Sequence, residues 1–221
     1  MIVGSIKEDL SLEKRVSLTP DTAKNIINLG LKVCIEKDYA SHIGIKDEDY
    51  VELGVEIKNS SKEVLNLCNL LITVNCPSEN KIINLKEKTI LVGMLNPSKN
   101  KSQINEIVKK NIHAFSLELL PRITRAQSMD VLSSQSNLAG YRAVIDSIYE
   151  FEKAVPMMMT AAGTVPAAKV LVIGAGVAGL QAIATAKRLG AIVSATDVRA
   201  ASKEQVESLG GKFLTVEQTE D

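Results

Sequence analysis

Short aliphatic runs alternate with helix-like segments along the first 120 residues of the chain. The runs have strand length and fall at residues 2–6, 31–36, 55–57, 70–74, 89–95 and 113–119. Helices are predicted between them from Thr19 to Gly30, over residues 47–53 and 61–67, where Ser61 is the expected cap, and over residues 102–110. Strands that are apolar throughout are typical of a parallel sheet covered on both faces. The pattern therefore predicts a doubly wound α/β domain over residues 1–120.

Residues 121–168 interrupt this alternation. The stretch 121–136 is polar, contains Arg122 and Arg125, and fits neither the helix nor the strand period. Apolar residues then recur at helical spacing, which predicts a linking helix to about Phe151: Tyr141, Val144, Ile145 and Ile148. Residues 157–165 read MMMTAAGTV and are predicted to form a connector, whose methionines we expect to pack rather than to dock a partner.

A glycine-rich turn lies between two further predicted strands, at residues 170–173 and 192–196. Gly174, Gly176 and Gly179 form G-x-G-x-x-G, and an apolar helix is predicted over residues 177–189. The first glycine permits a tight turn, the second lets a pyrophosphate approach the backbone, and the third lets the helix pack closely on the strand. Asp197 ends the second strand, where a carboxylate accepts hydrogen bonds from ribose hydroxyls. The sequence therefore predicts a dinucleotide site.

Asp197 favours NAD(H) over NADP(H), because a carboxylate repels a 2′-phosphate. Arg199 tempers this preference, since an arginine at that place could hold such a phosphate. A helix over residues 201–209 and a strand over 212–216 complete only one β-α-β-α-β half of a nucleotide-binding domain. The unit over residues 169–221 is therefore expected to be truncated, and the chain to be a fragment.

Composition narrows the choice of partners. Lys and Arg together number 26, as do Asp and Glu, so no basic field attracts nucleic acid or anionic lipid. Aromatic residues are scarce, which argues against base stacking. The three cysteines form no C-x-x-C motif, so neither a metal site nor a disulfide framework is predicted. The first residues lack the features of a signal peptide, and the chain is expected to be soluble.

Three segments resemble the NAD(H)-binding domain of proton-translocating NAD(P) transhydrogenases, a family related to alanine dehydrogenases. The segments are RAQSMDVLSSQSNLAGYRAV, PMMMTAAGTVP and GAGVAGLQAIATAKRLGA. The similarity is strong from about Glu118 onward and weaker over the first domain, where KRVSLTP at residues 14–20 carries it. This resemblance implies the N-terminal domain of an alpha subunit, with NADH held in a cleft between two subdomains.

The resemblance also implies roles for particular residues. Arg122, Gln127 and Asp130 would surround the nicotinamide and its ribose, with Arg125 and Ser133 nearby. The glycine turn, with Val177, and the residues Asp197, Val198 and Arg199 would bind the adenosine side. The family passes a hydride to NADP⁺ on a partner domain and works as a homodimer, coupled to a membrane-spanning proton channel. The expected location is the cytoplasmic face of the inner membrane.

Hydride transfer between two nicotinamides needs positioned rings and excluded water but no general acid or base, which suits Arg122, Gln127 and Asp130. The plainer alternative makes Asp130 a helix cap and the loop arginines solvated charges.

Two rival functions remain open at this point. An alanine dehydrogenase needs a histidine after the strand at residues 89–95, where this chain has Asn96, and a lysine in the segment that reads TVNCP here. His42 and His113 are placed elsewhere, although Arg15 is retained. The other rival is a non-catalytic module that binds only the ADP-ribose moiety of a nucleotide.

Overall fold

A computed structural model describes residues 1–215 of the chain. The chain divides into two compact units, the first comprising Met1–Asp130 and the second beginning at Val131. Within residues 1–215, no helix is both long enough and apolar enough to cross a bilayer.

The first unit contains a six-stranded parallel sheet in the order β3-β2-β1-β4-β5-β6. Its strands are β1 (Ile2–Ser5), β2 (Lys32–Glu36), β3 (Glu56–Lys58), β4 (Leu70–Asn75), β5 (Ile90–Met94) and β6 (His113–Ser116). Its helices are α1 (Pro20–Asn28), α2 (Asp47–Val51), α3 (Ser61–Leu67), α4 (Glu79–Ile82) and α5 (Lys101–Lys109). The doubly wound parallel architecture predicted from the aliphatic runs is confirmed.

Both faces of this sheet are covered, as strand β2 demonstrates. Val33 and Ile35 lie in one apolar cluster with Ala23 of α1, whereas Cys34 lies in another with Val64 of α3. All five side chains are buried. Since successive strand residues point to opposite faces, an uninterrupted apolar run is what a sheet between two helix layers requires.

The helix ends follow local hydrogen-bonding chemistry. Thr19 caps α1 by accepting a hydrogen bond at Oγ1 from the Thr22 N–H at 3.3 Å, with Pro20 as the first helical residue, as predicted. Ser60, not Ser61, caps α3, because its Oγ accepts the Glu63 N–H at 3.4 Å. The helix α4 was not predicted, because it is a single turn without a repeating apolar face.

The strand predicted over residues 113–119 is too long. Strand β6 ends at Ser116, and Leu117–Leu119 form a 3₁₀ turn. The Glu118 carboxylate causes the turn, since its Oε1 accepts the Ser116 hydroxyl at 2.7 Å and the Asn96 N–H at 2.6 Å.

The second unit has a three-stranded parallel sheet in the order β11-β10-β9 and a separate antiparallel hairpin of β7 and β8. The strands are β7 (Met158–Thr160), β8 (Gly163–Val165), β9 (Lys169–Ile173), β10 (Ile192–Thr196) and β11 (Lys212–Phe213). The helices are α6 (Val131–Phe151), α7 (Val177–Arg188) and α8 (Ser202–Ser208). The predicted incomplete β-α-β-α-β half is therefore present, while Val216 of its last predicted strand lies outside the described residues.

Two segments differ from the predictions in this unit. Helix α6 begins at Val131, ten residues before the periodic apolar positions, because its first turns consist largely of Ser and Gln. The predicted connector is the β7–β8 hairpin, in which Met158 pairs with Val165. Its methionines are exposed, so the expectation that they pack is wrong.

Helices α6 and α7 approach each other at Gly140. A Cβ at this position would lie 2.1 Å from the Ala178 carbonyl oxygen, so only glycine fits. The adjoining core contains Val144 of α6, Ile183 of α7 and Val206 of α8, packed on one face of the sheet.

The opposite face of this sheet is uncovered within the described residues. Leu171 and Ile173 of β9 are 57% and 81% exposed, and Ile192 of β10 is also exposed. The prediction of a fully buried strand at residues 170–173 is therefore wrong for one face, because α6, α7 and α8 all contribute to the cluster on the other.

Candidate functional site

The glycine turn joins β9 to α7 and depends on two backbone constraints. Gly174 has φ +94°, which side-chain-bearing residues rarely adopt. Gly179 packs against that turn so closely that a Cβ would lie 1.8 Å from the Gly174 carbonyl oxygen. The Gly174 N–H donates to the Thr196 carbonyl at 2.8 Å, which ties the turn to β10. The turn is thus fixed by helix and sheet together.

Gly176 differs from its two neighbours because it has open space around it. No atom lies within 4 Å of a Cβ built on Gly176, and its φ of −78° suits any residue. It is the N-cap residue of α7, and no side chain caps that helix. Amide groups at an uncapped helix start carry partial positive charge and bind anions. The structure therefore offers an accessible anion-binding position, beside which Val177 is exposed.

Asp197 lies directly after β10 and contacts the glycine turn. Its Oδ2 accepts the Ala175 N–H at 2.7 Å, and its Oδ1 accepts the Arg199 N–H at 2.8 Å. Arg199 also donates through Nε to Oδ1 at 2.9 Å and through Nη2 to Oδ2 at 3.0 Å. These Arg199 hydrogen bonds, followed by that from Ala175, hold the pKa of Asp197 well below its usual range. The carboxylate is therefore ionised throughout the physiological range.

A cavity of about 760 Å³ opens beside Asp197, at the carboxyl ends of β9, β10 and β11. Gly174 and Val198 contribute to its wall, and so does Lys203 of α8. Ligands of open parallel sheets bind at this edge. Sequence reasoning missed Lys203, which has no motif and lies on an ordinary helix; only its side of α8 relative to the cavity marks it.

The remaining predicted site residues lie around the boundary of the two units. Arg122, Arg125 and Gln127 are exposed in the first unit, where residues 124–129 form a 3₁₀ segment anchored by buried Ala126. Asp130 follows this segment, whereas Ser133 belongs to α6 in the second unit. The structure brings the glycine turn, Asp197, Val198 and Arg199 together; the loop residues form a separate set in the first unit.

The carboxyl edge of the first sheet is occupied by its own side chains. Between β1 and β4, where the strand order reverses, Arg15 donates to Glu13 through Nε at 2.9 Å and Nη2 at 2.6 Å. Asn75 Nδ2 donates to the same carboxylate at 3.2 Å, and Glu8 accepts the Val74 N–H at 2.7 Å. Burial is the largest influence on Glu8 and raises its pKa.

Neither histidine is placed to act as a proton acceptor at this edge. Exposed His42 lies with Nε2 2.8 Å from the Lys14 carbonyl oxygen, and exposed His113 begins β6 at the opposite end of the strand. Among residues 1–215, no group of three or more His, Cys, Asp or Glu side chains could hold a metal ion. The geometry at this edge gives no support to amino-acid oxidation.

The glycine turn and Asp197 define a Rossmann-like dinucleotide-binding α/β unit. Comparison with family models then identifies the family. Residues 4–139 match the N-terminal domain of alanine dehydrogenase/PNT, and residues 143–221 match its C-terminal domain. The chain belongs to the alanine dehydrogenase/PNT family.

Within this family the chain is strongly similar to transhydrogenase alpha subunits. It is 50% identical over 222 residues to the first of the polypeptides that form NAD(P) transhydrogenase subunit alpha in Rhodospirillum rubrum, covering 98% of this chain and 58% of that protein. The crystal structure of transhydrogenase from Sinorhizobium meliloti superposes with a TM-score of 0.93 at 47% identity, over 97% of this chain and 64% of the other.

An L-alanine dehydrogenase structure shares the fold, with a TM-score of 0.81 at 24% identity over 96% of this chain and 60% of the other. The chain thus spans less than two thirds of the length of the relatives it matches.

The Glu13–Arg15 pair yields a prediction about acid stability. Hydrogen bonding from Arg15 lowers the pKa of Glu13 to about 2. A carboxylate with a depressed pKa stabilises the fold above its unfolded pKa, and this contribution is lost as the pH falls through the folded pKa. We expect Glu13→Gln to reduce the free energy of unfolding by about 1 kcal/mol at pH 7. The difference should shrink between pH 5 and pH 2 in urea titrations.

Glu150→Gln is the matched control, since Glu150 is exposed at the end of α6. A Glu13→Gln deficit that is as large at pH 2 as at pH 7 would contradict the assignment.

The two glycines of the turn should respond oppositely to alanine. Gly179→Ala forces a Cβ into the Gly174 carbonyl, and we expect it to cost about 3 kcal/mol of unfolding free energy or to prevent folding of the second unit. Gly176→Ala meets nothing and should leave the thermal midpoint nearly unchanged. Circular dichroism melts of both variants test this. Equal midpoints for the two variants would show that Gly179 is not closely packed.

Proposed function

We propose that this chain is the NAD(H)-binding component of a proton-translocating NAD(P) transhydrogenase. The observation that carries the proposal is the uncapped start of α7 beside ionised Asp197, in a chain half identical to a transhydrogenase alpha subunit. In this function a hydride moves with its electron pair from C4 of NADH to C4 of NADP⁺ bound on a partner domain. The transfer releases no proton, so the chain must bind and orient rather than act as an acid or base.

The second unit would hold the adenosine half of NADH. The amide groups at the start of α7 bind the pyrophosphate, which approaches the backbone over Gly176. The Asp197 carboxylate accepts hydrogen bonds from the ribose hydroxyls and repels a 2′-phosphate, which favours NAD(H). Val177 and Val198 provide apolar contacts for the adenosine. The open space at Gly176 and the cavity beside Asp197 support this placement.

The segment after β6 would hold the nicotinamide half. Arg122, Gln127 and Asp130 supply charged and amide groups that can bind the carboxamide and the nicotinamide ribose, with Arg125 and Ser133 beside them. The support is that the Arg122, Arg125 and Gln127 side chains make no hydrogen bond or ion pair within the described residues, which leaves their donors for a ligand. A 3₁₀ segment anchored at Ala126 limits their motion.

The proposal extends to the assembly in which the chain works. NADP(H) is bound by a partner domain, a membrane-spanning subunit carries the proton, and the complex lies on the cytoplasmic face of the inner membrane. The functional unit is a homodimer. The β7–β8 hairpin supports a protein contact on the second unit, because its exposed methionines provide an adaptable apolar surface.

Binding variants test the adenosine site directly. We expect the wild-type chain to bind NADH more tightly than NADPH. Asp197→Ala should weaken NADH binding about tenfold or more and reduce the preference over NADPH, because charged acceptors of the ribose hydroxyls are lost. Gly176→Ala should weaken both nucleotides, since its Cβ obstructs the pyrophosphate. Isothermal titration measures all four affinities. Unchanged affinities in folded Asp197→Ala protein would mean that this carboxylate does not contact the ribose.

A second variant tests the nicotinamide loop in the complete transhydrogenase. Gln127→Ala should lower the rate of hydride transfer to NADP⁺ by about tenfold to a hundredfold, because misplaced rings react slowly. The NADH dissociation constant should change little. Asn105→Ala, on the exposed face of α5, is the control. Equal losses of rate and of NADH affinity would assign Gln127 to binding alone.

A further inference from the structure

All the acceptor positions of the Asp197 carboxylate are occupied by the chain itself. A carboxylate offers about four lone-pair sites. Oδ1 receives the Arg199 N–H and Nε–H, and Oδ2 receives the Ala175 N–H and the Arg199 Nη2–H, all between 2.7 and 3.0 Å. A ribose with two hydroxyl donors therefore finds no free site on this carboxylate.

The four donors differ in how readily they can leave. The Ala175 N–H belongs to the fixed glycine turn, and Ala175 is 1% exposed. The backbone of Arg199 is held where its carbonyl accepts the Ser202 N–H at 3.0 Å. The Arg199 side chain, in contrast, is 62% exposed, whereas that of Asp197 is 6% exposed. Only the guanidinium can move into water without disturbing the turn.

The guanidinium also matches what it would give way to. It places one donor on each carboxylate oxygen, through Nε and Nη2. The vicinal 2′- and 3′-hydroxyls of a ribose likewise present two neighbouring donors to one carboxylate. Rotation of the Arg199 side chain would free one acceptor site on each oxygen for this diol.

We propose that the Arg199 guanidinium occupies the ribose subsite of the empty protein and must be displaced when a nucleotide binds. Arg199 is then an affinity-setting residue whose removal strengthens binding, instead of a contact that adds to it. This inference rests on the proposed binding of NADH by the second unit. It explains how a buried carboxylate stays satisfied and aimed at the cavity before a ligand arrives.

Substitution of Arg199 in the full chain tests this. We expect Arg199→Met to bind NADH and ADP-ribose about threefold to tenfold more tightly than wild type, because no ion pair has to be broken. Arg199→Lys should be intermediate, since an ammonium cannot pair with both oxygens in the planar manner of a guanidinium. The gain should vanish in an Asp197→Ala background. The chain has no Trp, so NADH fluorescence can follow binding directly.

A ligand without the diol separates displacement from a general charge effect. 2′,3′-Dideoxyadenosine diphosphate needs no site on Asp197, so it should not bind Arg199→Met more tightly than wild type. Arg142→Met is the control for removal of an exposed arginine, since Arg142 pairs with Asp146 on α6. Melting curves establish that each variant is folded.

Each outcome decides the matter. Tighter binding of NADH and ADP-ribose alone supports displacement. Unchanged or weaker NADH binding by Arg199→Met overturns it and makes Arg199 an ordinary binding residue, while equal tightening of the dideoxy ligand reduces it to a charge effect. If neither folded wild type nor variant binds NADH or ADP-ribose, the proposed function fails and the displacement fails with it.

Discussion

The contact between Gly179 and the Gly174 carbonyl is the constraint on which the second unit depends. It brings the first turn of α7 against the end of β9, at a separation that no side chain permits. The helix start is thereby fixed at the carboxyl edge of the sheet, where Gly174 is also bonded to Thr196. The anion-binding amides, the Asp197 carboxylate and the cavity all take their positions from this approach.

The two units treat the carboxyl edge of a parallel sheet in different ways. In the first unit, Glu13 fills the fork of Arg15, and Glu8 binds the backbone of β4. Charges at that edge are neutralised by permanent neighbours, and partners from the same few segments hold them. In the second unit, the edge carries an uncapped helix and a cavity. The chemistry of ligand binding is thus concentrated in the second unit, although both sheets have the geometry for it.

Sequence reasoning predicted the features of this structure that depend on residue identity. A positive φ at Gly174 and a backbone approach at Gly179 admit only glycine, so the turn could be located from the motif. The parallel sheet of the first unit followed from apolar runs that need burial on both faces. Asp197 could be placed because it ends the second strand of the motif. Other features depend on relations that one sequence does not display. The start of α6 has no apolar period, because the helix is positioned by the Gly140 contact with Ala178 rather than by an amphipathic stripe. The pairing of Arg199 with Asp197 requires a count of donors around one carboxylate, and Lys203 becomes notable only beside a cavity.

The Gly140 crossing has a mechanical consequence. Because α6 and α7 meet backbone to backbone, with no flexible side chain between them, neither helix can shift along the other without a steric clash. Helix α6 has 21 residues and is therefore about 30 Å long, and its first residue is also the first residue of the second unit. A displacement of the α7 terminus is therefore carried along a stiff rod as far as Val131. Within the second unit, the helix acts as a lever whose far end is the residue that follows Asp130.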